Sequence, residues 1–197
     1  MTIFFRSVFA EEQDYDVNYF PGTTTKAPDW IFGEPVAGWE ISSVGEAEKT
    51  SGGLAFQKQK AITAARVQLV QQMKTYLANM IEDYVGVSGK PTTTESVDAF
   101  TKSVTSNISE GSLVGSKLVK TVYGPDGTLW VLVAIDNALA ESIARKAMQT
   151  SFKNGIALHQ QSIASESQTA LIDAIVRRKV ADQSPQASDA VSSPAQK

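Results

Sequence analysis

The chain has 197 residues, 42% of them hydrophobic, and a formal net charge of −3 at neutral pH. That length and apolar content suffice for one domain with a packed core, and the scattered Lys and Arg argue against a nucleic-acid surface, which needs clustered cations. Cysteine is absent. Disulfides, thiolate zinc sites and cysteine nucleophiles are excluded with it, and a direct lipid anchor on this chain is not expected.

No run approaches the ~20 apolar residues that cross a bilayer. The opening MTIFFRSVFAEEQ places the small residues Val8 and Ala10 at the −3 and −1 positions of a cleavage site, followed by Glu11 and Glu12. Its apolar part is short and broken by Arg6. Residues 1–10 therefore read as a poor signal peptide or as the tail of a longer one. Residues 11–27, EEQDYDVNYFPGTTTKA, are polar and carry Pro, Gly and a threonine run, which predicts an extended arm. The folded part is expected over 28–180. Beyond it, ADQSPQASDAVSSPAQK is rich in Ser, Ala, Pro and Gln and predicts a disordered tail over 181–197.

Within the domain, ISSVGEA (41–47) predicts a strand whose small Ser42, Ser43 and Gly45 admit a helix at close range. Residues 54–85 hold no Pro or Gly, and Ile62, Ala65, Leu69, Met73, Leu77, Ile81 and Tyr84 recur at spacings of three and four, one face of a helix. About 31 residues make a rod of ~45 Å, with Gly86 placed to end it. A shorter helix follows, with Thr92 and Glu95 at capping-box spacing and Val97, Phe100, Val104 and Ile108 as its stripe. Two β-rich runs then flank GPDG (124–127), a turn in which Pro125 presets φ, Asp126 bonds locally and Gly127 accepts positive φ. The second run, LWVLVA, is apolar almost continuously, as a central strand would be. Asp136 caps a helix carrying Leu139, Ile143, Ala147, Met148 and Phe152, ended near Asn154-Gly155. A last helix near 165–180 shows Leu171, Ile172, Ile175 and Val176, a stripe suited to docking on its own domain or on a neighbour. The order predicts an α+β fold: a small antiparallel sheet of three to four strands covered by one long helix, with additional C-terminal helices.

No residue set with matched catalytic groups stands out. The single histidine, His159, lies between Leu158 and Gln160 with no nucleophile motif nearby. TSGGLAF (50–56) looks like a phosphate loop but lacks the lysine that would follow, and it reads as a strand-to-helix connection. EEQDYD lacks EF-hand spacing, and the RRK run at 177–179 suits a solvated helix end. No catalytic residue, cofactor or metal site is expected. Trp30 and Trp39 are read as capping the edge of the core or as packing on an adjacent subunit, with Trp30 pinning the arm and Trp39 closing the end of the first strand; Trp130 belongs to the core or a sheet face.

Ala27-Pro28-Asp29-Trp30, then Val44-Gly45-Glu46-Ala47, then AITAARVQL with Ala61, Ala65, Arg66 and Leu69, and finally WVLVAID from Trp130 to Asp136, follow one another in order. This succession resembles the small envelope lipoproteins that include a twenty-kilodalton surface lipoprotein of ε-proteobacteria and the FlgP-type proteins of flagellar basal disks. It covers roughly residues 27–145. The resemblance implies a periplasmic or outer-membrane location and a structural role, with copies of the chain packing side by side into a homo-oligomeric ring or disk, in company with other flagellar or outer-membrane proteins. The lipidated cysteine of that family is missing here. A monomeric surface or periplasmic binding module, adhesin-like, is the alternative. Alanines along the long helix (Ala61, Ala64, Ala65, Ala78) would permit lateral approach of a neighbour or packing on the chain's own sheet, and uncovered sheet edges could pair with neighbours.

Overall fold

In a computed structural model, residues 18–39, 41–88, 92–156, 158 and 165–182 are described. Residues 1–17, including the signal-like segment and EEQDYD, lie outside them, as do His159 and residues 183–197. The fold is α+β. A 3-10 turn at Asp29–Phe32 leads to β1 (Ile41–Ala47), the long α1 (Gly53–Ser88) and α2 (Thr94–Ser106). A second 3-10 turn, Glu110–Leu113, precedes the hairpin of β2 (Lys117–Tyr123) and β3 (Leu129–Ile135), and α3 (Asn137–Lys153) and α4 (Ser165–Asp182) complete the chain. The three strands form one antiparallel sheet in the order β1-β3-β2. Its centre is the strand whose sequence is apolar on both faces.

β1 alternates, with Ile41, Ser43, Gly45 and Ala47 buried. These residues face α1, and the fit depends on having almost no side chain at Gly45. A Cβ there would stand 2.3 Å from both the Ala61 carbonyl oxygen and the Ala65 nitrogen. Two polar side chains tie the contact: the Ser43 hydroxyl donates to the Ala65 carbonyl at 2.8 Å, and the Gln57 amide donates to the carbonyls of Ala47 at 2.9 Å and Gly127 at 2.8 Å. Gln57 is buried and thus binds the end of β1, the start of α1 and the hairpin turn into one joint. These bonds matter because a buried carbonyl left unpaired costs about 1–3 kcal/mol.

The partners of β1 along α1 run backwards, from Ala47 at Gln57 to Ser43 at Ala65. The helix is therefore antiparallel to the strand and continues past the sheet, where α2, α3 and α4 enclose it. Met73, Leu77, Met80, Ile81 and Tyr84 are buried there with Phe100, Val104, Phe152, Ile175 and Val176. The Phe100 and Phe152 rings lie 5.1 Å apart in a tilted pair, a geometry aromatic quadrupoles favour. The α4 stripe docks on its own domain: Leu171, Ile172, Ile175 and Val176 all belong to this core.

Several boundaries differ from the sequence reading. α1 passes through Gly86 to Ser88, and Gly86 does not adopt the positive φ of a terminating glycine; the Ser88 hydroxyl donates to the Val85 carbonyl in the last turn. The N-cap of α2 is Thr93, whose hydroxyl accepts the Ser96 N–H, and not Thr92. The expected cap Asp136 does accept the Leu139 N–H, at 2.9 Å. α4 reaches Asp182, past residue 180. At the other end, described structure begins at Asn18, within the segment read as an extended arm. There Tyr19 bridges to Lys26, and Phe20 and Ala27 are buried. Phe20, Ala27, Trp30 and Ile31 form a second cluster on the sheet face opposite α1, against Leu132.

Candidate functional site

Sheet order leaves two outer strands, and their surroundings differ. Along the outer edge of β1, a groove of about 690 Å³ is walled on one side by the 3-10 turn (Trp30, Phe32) and Glu34 just after it, and on the other by α1 (Ala64, Gln68, Gln72), with Ser42 to Glu46 as its floor. Among the described residues no strand pairs with that edge. Backbone amides and carbonyls at such an edge are a template for another strand. Phe32 stands beside the groove 49% exposed.

β2 is the opposite case. Lys117, Leu118, Lys120, Thr121 and Tyr123 are exposed, and the register slips between Leu118 and Lys120. Leu118 pairs with Val133 and Tyr123 with Leu129, so both side chains emerge on the helix side of the sheet, where α1 covers β1 and β3 but leaves β2 open. On the other face, Lys120 pairs with Leu132 and Val122 with Trp130.

Electrostatics at the strand ends is local. The Lys117 ammonium lies 3.1 Å from the Asp136 carboxylate and 5.5 Å from the Trp39 ring centroid. The Leu139 N–H, with help from that ammonium, holds the Asp136 carboxyl below its ordinary value. In the hairpin turn, the Thr128 hydroxyl and then its N–H do the same for Asp126. No group of three or more His, Cys, Asp or Glu residues placed to hold a metal occurs among the described residues, and no described helix is long and apolar enough to cross a membrane.

The residues singled out in the sequence fall into four places. Gly45, Ala61, Ala65 and Leu69 meet between β1 and α1, all buried. Ala61 and Ala65 thus serve the chain's own sheet and not a lateral neighbour, whereas Ala64 lines the open groove. Pro28, Asp29 and Trp30 form the start of the 3-10 turn; Trp30 is buried, with the half-buried Trp130 packed against its cluster, while Asp29 is exposed and accepts from Asn18. Asp136 and Trp39 come together around Lys117. Trp39 stands just before β1, and its ring receives the Lys117 ammonium from the start of β2. Arg66 is half-buried and its Nε donates to the Ser116 hydroxyl at 3.3 Å, joining α1 to the start of β2. Sequence reasoning expected uncovered sheet edges but not which strands carry them; the order β1-β3-β2 makes these β1 and β2. Gln57 was missed too, although the spacing of four in Gln57, Ala61, Ala65 and Leu69 marks it as a polar residue on the buried stripe.

The fold and these edges define a class by architecture alone: an α+β domain with a helix-backed sheet of three strands among the described residues. No protein-family model matches the chain, and no curated protein matches it.

Proposed function

We propose that this chain is a non-catalytic structural protein of the bacterial cell envelope that assembles with copies of itself, as a ring or disk component of the FlgP type associated with the flagellar motor. The observation that carries self-assembly is the sheet whose two outer strands have no further strand paired to them among the described residues, with Phe32, Leu118 and Tyr123 exposed beside them. Exposed apolar side chains along a strand edge favour association. The envelope and flagellar part of the reading, with its periplasmic or outer-membrane placement and other flagellar proteins as neighbours, is supported by the order of motifs from Pro28 to Asp136. Those motifs meet in consistent places: the V-G-E-A strand segment lies against the A-x-x-x-A-R helix segment at Gly45, Ala61 and Ala65.

The test is the molar mass of the purified chain by light scattering after size exclusion, over a range of concentrations. Masses many times 21.2 kDa are expected, and imaging of the particles then counts the subunits. A monomer at all concentrations would turn the reading toward a binding module, in which the groove beside β1 takes a segment of another protein.

A further inference from the structure

We infer that copies of the chain join head to tail, the free edge of β2 from one copy entering the groove along β1 of the next as a parallel strand; this inference rests on the self-assembly reading above. The two edges are incomplete in complementary ways. β1 has overhanging walls, the 3-10 turn and α1, with no strand between them among the described residues. β2 is a strand that projects beyond α1, with Leu118 and Tyr123 uncovered on its helix side. Seated in the groove, Leu118 and Tyr123 would lie under the neighbour's Ala64, Gln68 and Gln72, and the exposed Phe32 of the neighbour would cover the opposite face.

Strand direction follows from the sheet. β1 and β2 both run antiparallel to β3, so they are parallel to each other. A rotation that repeats the subunit sideways, with strands along the rotation axis, brings β2 beside the next β1 in parallel. Such a heterologous contact closes into a ring when the rotation divides a full turn, and otherwise extends as a filament.

Charge selects this pairing over the two symmetric ones. Val44 and Lys120 both pair with Leu132, so they stand level on the face opposite α1, and Glu46 is the next residue of β1 on that face. Glu34 stands in the groove's wall but also shares a hollow with the chain's own Lys120, so Glu46 is the acid the groove offers to a neighbour. The acidic groove thus receives Lys120. A β1-to-β1 pair would line one groove with Glu46 from both copies and leave Leu118 and Tyr123 uncovered. A β2-to-β2 pair would bring the Lys117 and Lys120 rows together. The lysines and the slipped register of β2 are devices that keep an edge from pairing indiscriminately, and an acidic, walled groove is the complement that accepts them.

Because the chain contains no cysteine, introduced cysteines report the contact without background. Val44→Cys and Lys120→Cys are made separately, mixed under mild oxidation and compared with each variant alone on non-reducing gels, with Ser42→Cys and Val122→Cys as a register scan. A cross-linked dimer that forms only in mixtures of a β1 variant with a β2 variant is the expected result. Glu46→Lys and Lys120→Glu should each weaken association roughly fivefold, and the double reversal should restore it. Three results overturn the inference. Val44→Cys cross-linking to itself would mean a two-fold β1 pair. Oligomers that form with no cross-link at any scanned pair would leave self-assembly standing and give the groove to another occupant. A monomer under all conditions would remove both this contact and the self-assembly reading.

Discussion

Gly45 and Gly86 are the same residue with opposite roles, and substitution to alanine should separate them. A Cβ at Gly45 meets backbone atoms of α1 at 2.3 Å, which cannot rotate away. The whole helix would have to retreat from β1, straining the Ser43 and Gln57 bonds to it. Gly45→Ala should therefore cost at the upper end of overpacking, about 3 kcal/mol, and lower the thermal midpoint by roughly 6–12 °C. At Gly86 a Cβ meets nothing within 4 Å, and the residue is exposed inside α1 with helical φ. Gly86→Ala should stabilise by about 0.5–1 kcal/mol, since alanine loses less backbone freedom in a helix. Thermal unfolding of the two variants checks both signs together. Sequence alone gave Gly45 its role, because a small residue in a strand beside a helix suggests close packing. It gave Gly86 the wrong one. A glycine after an apolar stripe looks like a terminator, and nothing local tells that the last turn of α1 closes through Ser88 instead.

At the level of elements, three carboxylates hold joints together. Asp136 caps α3, Asp126 shapes the turn between β2 and β3, and Asp173 on α4 pairs with Arg145 on α3. The Arg145 guanidinium holds Asp173 below its ordinary value of 3.8, as the Leu139 N–H does for Asp136 and the Thr128 hydroxyl for Asp126. Each pKa is lower folded than unfolded. Their stabilisation is thus complete above the unfolded value and is lost as pH falls through the folded ones. Denaturant midpoints should be flat from pH 7 to about 5 in respect of these groups and decline below ~4. Asp136→Asn keeps a capping oxygen but removes the titration, so it should reduce the slope of that decline. An unchanged slope would mean that the cap charge does not matter. Elements whose signals are local were legible: the β1 span, the GPDG hairpin, the Asp136 cap and the α4 stripe. The cap of α2 was misplaced by one residue because Thr92, Thr93 and Thr94 offer the same hydroxyl, and only backbone geometry selects among them. The turn around Phe20 was read as an arm because its burial depends on Leu132, more than a hundred residues away in sequence.

For the whole molecule, the order of elements fixed the α+β class and allowed open sheet edges, yet which strands form them, and the groove beside β1, were not legible. A strand's pattern reports which faces are covered but not which edge is paired. KLVKTVY reads as half of a hairpin, and its exposure follows only from the placement of α1 over β1 and β3, held there by Gly45, Ala61 and Gln57. The same placement yields a test that does not touch the groove. Leu118 is 37% exposed and Tyr123 49%, so in the single subunit each keeps half or more of its surface covered. Leu118→Ser with Tyr123→Ser should lower the stability of the subunit by about 1–3 kcal/mol. If a neighbour's helix covers them, burying a large apolar side chain is worth about 1.5–3 kcal/mol when complete, and even part of that, lost at two positions in every contact, should shift the mass distribution to small species. Val87→Ser is the control. Val87 is 54% exposed but lies roughly 33 Å along α1 from Ala65, beyond the sheet, and should leave the mass unchanged. An equal loss of mass in both variants would point to general apolar stickiness, whereas a loss confined to the β2 variant would tie assembly to the open strand.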